Sequence, residues 1–117
     1  MHPNRCMVIH FRNNKLRKTF SSEKELIRTY GADQAKVLKR RISELKAARF
    51  LEDLRHLPQL HPHELAGNRN GQISITVRQP YRLIMLPAND PIPTLPDGGL
   101  DWAAVTEVTV IEFVDYH

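Results

Sequence analysis

Cysteine is almost absent from this chain: Cys6 is the one thiol in 117 residues. A lone thiol forms no internal disulfide, which excludes a disulfide-stapled scaffold and fits a reducing compartment. Cys6 itself reads as a buried small hydrophobe at the head of a strand rather than as a nucleophile. No apolar run approaches the ~20 residues needed to cross a bilayer, and charged residues make up 26% of the chain. The opening Cys6-Met7-Val8-Ile9-His10-Phe11 is too short and too β-like for a secretory leader, so the expected compartment is the cytoplasm. Cys/His groups with zinc spacing are missing, and so is a Gly-rich loop followed by Gly-Lys-Ser/Thr. Neither a metal nor another cofactor is expected. The length and a hydrophobic content of 41% fit one domain over residues 1–117 with one modest core.

Cations are scarce in the second half. Residues 61–117 hold only Arg69, Arg78 and Arg82 against seven Asp/Glu, a net of −4. Residues 1–60 hold 14 Lys/Arg against 6 Asp/Glu, a net of +8. A basic front half suits a polyanionic partner, nucleic acid or an acidic protein segment. Two soluble helices that happen to be rich in Lys and Arg would give the same totals.

The pattern predicts an α+β domain: one N-terminal strand, two to three helices, then three antiparallel strands forming a small curved sheet. Residues 6–11 read as the first strand, and residues 12–20 as a loop carrying Arg12, Lys15, Arg17 and Lys18. Ser22 with Glu25 three residues later is a capping box, so a helix should run to Tyr30 and end at Gly31. Asp33 can cap the next helix, whose Leu38, Ile42, Leu45 and Ala48 recur at helical spacing for the core. A short helical stretch, 51–57, ends at Pro58. Residues 58–71 read as loop. Ile73, Ile75 and Val77 alternate with Ser74 and Thr76 in a strand, and Tyr81–Leu86 is apolar enough for a central one. The Pro-rich stretch 87–99 is a long surface loop, and 102–116 the last strand.

Four features could carry chemistry. Arg82 interrupts an apolar strand, and a buried guanidinium is costly unless paired. It either meets Asp115 or Glu112 or faces a cleft that receives phosphate. The terminal Asp115-Tyr116-His117 is either a frayed tail or a proton-donating site in which Asp115 and the chain's own carboxylate favour the imidazolium of His117. His56, His61 and His63 are exposed histidines, a metal-binding group, or a source of a general acid or base. Gly67-Asn68-Arg69-Asn70-Gly71 is a turn with a solvated Arg or a cradle for a phosphodiester. Together these are the groups that cut RNA without metal: a base for the ribose 2′-hydroxyl, an Arg for the phosphorane charge, an acid for the leaving 5′-oxygen.

Three linked stretches, His63-Glu64-Leu65-Ala66-Gly67-Asn68-Arg69-Asn70-Gly71, then Pro80-Tyr81-Arg82-Leu83, then Asp115-Tyr116-His117, resemble the HigB family of plasmid maintenance killer proteins in the RelE/ParE toxin superfamily. The resemblance covers residues 58–117 well and the front half in element order and basic character. It implies a RelE/ParE-like fold and a cytoplasmic endoribonuclease that cuts mRNA in the ribosomal A site. It also implies a cognate helix-turn-helix antitoxin of the HigA kind. On this resemblance His63 and His117 are the catalytic imidazoles, Asp115 and Tyr116 complete the site, and Arg82 holds the scissile phosphate. Arg69, Arg78, Lys15, Arg17 and Lys18 would contact RNA. Many HigB toxins carry a Lys between the loop His and the Gly, where this chain has Glu64-Leu65-Ala66. His61 rivals His63, which aligns to Gly67 and Arg69 without a gap. The Pro-rich loop is a candidate antitoxin contact. Two other readings remain on the same fold: a non-enzymatic ParE-like inhibitor of DNA gyrase, and an inactive relative that binds RNA or the ribosome.

Overall fold

A computed structural model describes residues 6–115. Five strands form one mixed sheet, ordered β1-β5-β4-β3-β2, with helices packed on one face. The strands are β1 (Val8–Phe11), β2 (His63–Glu64), β3 (Ile73–Thr76), β4 (Tyr81–Pro87) and β5 (Glu107–Asp115). The last three pair antiparallel in chain order, while β1 lies parallel to β5, so β5 is internal. This is the α+β arrangement that the order of elements predicts, with an extra edge strand, β2, inside the stretch expected to be loop.

The helices follow local signals. α1 (Asn14–Thr19) forms where a loop is expected, because the Asn13 side chain accepts from the Leu16 amide at 2.8 Å and satisfies a first-turn donor. α2 (Glu23–Tyr30) starts at Ser22, whose hydroxyl accepts from the Glu25 amide. It stops at Gly31, where φ is +88°, a value that an L side chain resists. α3 (Ala32–Ala47) begins directly at Gly31, so Asp33 sits in its first turn instead of capping it. Leu51–His56 forms a 3₁₀ turn within the predicted helical stretch.

The core lies between α3, the 51–60 turns and the sheet. Ile73, Ile75, Val77, Leu83, Met85, Val108 and Val110 meet Leu38, Leu45, Leu51 and Leu54. Leu38 and Leu45 are fully buried, as their spacing predicts, while Ile42 is only half-buried. The same stripe includes Arg41, which is buried: its Nε donates to the Thr76 carbonyl at 2.9 Å and its Nη1 reaches Glu44. Two expectations are corrected. Cys6 is exposed, because β1 starts only at Val8. The last strand starts at Glu107, since Trp102–Ala104 is a 3₁₀ turn whose Ala103 amide donates to Asp101.

Candidate functional site

The other face of the sheet carries the site. Cross-strand partners in an antiparallel pair project to the same side, so the pairs His63–Ser74, Thr76–Arg82, Ser74–Ile84, Ile84–Glu112 and Arg82–Val114 define one surface away from the helices. The alternation that sends Ile73 and Ile75 inward places Ser74 and Thr76 there, both buried.

Arg82 is the hub. Its Nε donates to Ser74 Oγ, its Nη1 to Thr76 Oγ1 at 2.9 Å and its Nη2 to the His61 carbonyl at 2.9 Å. The same Nη2 lies 3.4 Å from His63 Nδ1. Arg82 is half-buried, and hydrogen bonds to a charged group contribute about 1.5–3 kcal/mol each, which offsets its desolvation. These partners fix the plane of the guanidinium. Thr76 is steadied in turn by Arg41, which holds its carbonyl. Glu112, one of two expected partners for Arg82, instead accepts from Arg69 Nη1 at 3.1 Å, and Gln72 accepts from the same nitrogen at 2.9 Å.

His63 sits on β2 and is exposed. His61 precedes it with φ at +43°, a turn that aims its carbonyl at Arg82. His63 Nδ1 lies 3.2 Å from that carbonyl and 3.4 Å from the guanidinium. Donation from Nδ1 to the carbonyl leaves Nε2 with a lone pair, the form of a general base. Acceptance from Arg82 puts the proton on Nε2, the form of a donor. His61 thus contributes its backbone, while His63 presents the imidazole.

Other predicted residues among those described lie elsewhere. Asp115 pairs with Tyr81, one step out of phase with the Arg82–Val114 pair, so it alternates to the opposite side of the sheet. Tyr81 stacks on Phe113 at 5.5 Å, and Phe113 meets Tyr30 edge-on at 5.0 Å. Burial pushes the Tyr30 phenol above its usual range. Tyr116 and His117 lie outside the described residues. Arg78 is at the β3–β4 turn, 3.7 Å from the exposed Asp33. Lys15, Arg17 and Lys18 are exposed on α1, past the end of β1, and Arg12 reaches the Ile111 carbonyl there. Lys15 and Lys18 line an open groove of about 630 Å³ with Glu25 and Arg28. The Arg28 hydrogen bond, then its charge, lowers the Glu25 pKa.

Sequence reasoning missed Ser74, Thr76 and Arg41. Strict alternation is the signal for Ser74 and Thr76, and Arg41 stands on the apolar stripe between Leu38 and Leu45. Among the described residues, no group of three or more His, Cys, Asp or Glu is placed to hold a metal ion. No described helix is long and apolar enough to cross a membrane.

The family of HigB-like toxins, described as the RelE-like toxin of the type II toxin-antitoxin system HigB, matches residues 9–94. That span takes in most of the basic front half as well as His63, Arg69, Arg78 and Arg82, and ends before β5. No curated protein and no solved structure gives a significant match.

Proposed function

Because this chain belongs to the HigB-like toxins, the RelE-like toxins of type II toxin–antitoxin systems, we propose that it is an endoribonuclease acting on mRNA at the ribosome. The single observation that carries the reading is the meeting of the exposed His63 with the Arg82 guanidinium on the sheet face away from the helices. An exposed imidazole beside a fixed cation is what in-line cleavage next to a ribose 2′-hydroxyl requires.

With Nδ1 donating to the His61 carbonyl, His63 Nε2 takes the 2′-hydroxyl proton, and the 2′-oxygen attacks the adjacent phosphorus. The bond from phosphorus to the 5′-oxygen breaks. One fragment keeps a 2′,3′-cyclic phosphate, and the other leaves with a 5′-hydroxyl. Arg82 stabilises the charge that builds on the phosphorane. His117 protonates the leaving oxygen with Tyr116 beside it, as the Asp-Tyr-His ending implies, while Asp115, on the other side of β5 from Arg82, serves by holding the end of that strand. No metal or cofactor enters these steps. Arg69 and Arg78 steer the strand, and Lys15, Arg17 and Lys18 hold phosphates of the message or of ribosomal RNA, an attraction that salt weakens. A type II toxin has a cognate antitoxin; here we assign it the helix-turn-helix kind, with the compartment of action the cytoplasm.

Induced expression with mapping of mRNA 5′ ends tests the reading. Cuts at preferred codons in translated messages are expected. DNA breaks with intact mRNA would instead mark a gyrase inhibitor. Neither kind of damage would mark an inert binder of RNA or ribosomes.

A further inference from the structure

We propose that Glu64 and Trp102 are positioning residues for His63, an inference that rests on the cleavage reading of that histidine. β2 is two residues long and forms the outer edge of the sheet, paired to β3 through His63–Ser74 and Glu64–Ile73. So short a strand gains little rigidity from its own ladder. The chain strengthens it from the side. The Glu64 carboxylate accepts from Trp102 Nε1 at 2.7 Å.

Trp102 is a firm anchor. It is buried in the main core at 4% exposure. The Arg55 guanidinium lies 3.9 Å over its indole, a cation–π contact, and Arg55 is held at 2.8 Å by Glu52. A buried indole N–H needs an acceptor, and Glu64 supplies one. Neighbours on a strand point to opposite sides. Pinning Glu64 on the side it shares with Ile73 therefore fixes the roll of β2, and with it the place of His63 on the side it shares with Ser74 and Arg82. The tether requires an acceptor at this position, which the Glu64 carboxylate supplies.

Trp102 acts on the imidazole only through Glu64 and the strand that Glu64 shares with His63, and small misplacements of a reacting group are expensive in rate, on the order of 100-fold for 1 Å. The experiment compares full-length Trp102→Phe, Glu64→Ala and Glu64→Gln on a translated mRNA bound to purified ribosomes. It reads kcat and KM separately, and the His63 imidazole resonances by NMR. Trp102→Phe and Glu64→Ala should each lower kcat roughly ten- to 100-fold with KM nearly unchanged, and should shift the His63 resonances. Glu64→Gln, which keeps an acceptor oxygen, should restore both readouts. Glu64 is exposed, so its variants keep the test valid even where Trp102→Phe fails to fold. Wild-type kcat and unmoved resonances in Glu64→Ala overturn the tether, and so does a Gln variant as impaired as the Ala one. An inert wild type overturns the cleavage reading instead, and the resonances alone then decide the tether.

Discussion

Arg82 Nη2 stands 2.9 Å from the His61 carbonyl and 3.4 Å from His63 Nδ1, so one guanidinium organises both the turn before β2 and the imidazole on it. Removing that guanidinium takes away a charge and also unseats its neighbour. Arg82→Ala should therefore cost more than the ~10²–10³-fold typical of one missing charge-stabilising donor. Arg82→Lys should rescue poorly, because an ammonium cannot reach Ser74, Thr76 and the His61 carbonyl together. Single-turnover cleavage with thermal melting of each variant checks this, and full activity in Arg82→Ala would refute the assignment.

Ser74 and Thr76 should act through Arg82. Thr76→Val keeps the shape of the side chain and removes the Thr76 acceptor for Nη1, a hydrogen bond to a charged group that contributes about 1.5–3 kcal/mol. Reduced kcat and a lowered Tm are expected, with Ser74→Ala behaving alike. A variant with normal kcat and normal Tm would show that these hydroxyls do not hold the guanidinium in solution.

His117→Ala should abolish cleavage without moving Tm, since its role in the proposal is proton donation. His63→Gln should do the same to cleavage. Single-turnover cleavage with thermal melting of both variants checks this. Robust growth arrest on inducing either variant would contradict the two-imidazole scheme.

Replacing Lys15, Arg17 and Lys18 together by Gln should weaken binding to ribosomes and leave kcat unchanged. The slope of log affinity against log salt should become shallower by about 0.7–0.9 for each phosphate that the protein no longer neutralises. Filter binding at several salt concentrations measures it. An unaltered slope would remove α1 from the interface.

Tyr30 should contribute to a fall of stability at alkaline pH. Burial raises its pKa in the folded protein, so the unfolded chain releases the phenolic proton first as pH rises. The contribution is complete below the ordinary tyrosine value near 10 and is lost as pH climbs through the raised folded value. Tyr30→Phe should flatten the fall of Tm above pH 10, while an identical alkaline fall would show that Tyr30 is not its source.

Much of the fold was legible in local signals because each works within a few residues. Ser22 and Glu25 mark the start of α2, Gly31 its end, and the alternation over 73–77 marks β3 and the side it turns to the helices. α1 escaped because its cap, Asn13, lies among cations that read as loop. β2 escaped because two residues carry no period at all: they become a strand only because Ser74 and Ile73 offer a ladder.

The site divides in the same way. The one-dimensional order of residues determined that an Arg would stand within an apolar strand, that histidines would precede the Gly67–Gly71 turn, and that polar residues would alternate with Ile73 and Ile75, because these depend on side-chain type and strand period alone. Only the tertiary structure decided that Glu112 answers to Arg69, that Arg82 is held by Ser74, Thr76 and the His61 carbonyl, and that Asp115 alternates away from it. Strand register and a left-handed turn at His61 set those partnerships, and both arise from interactions between residues far apart in the chain.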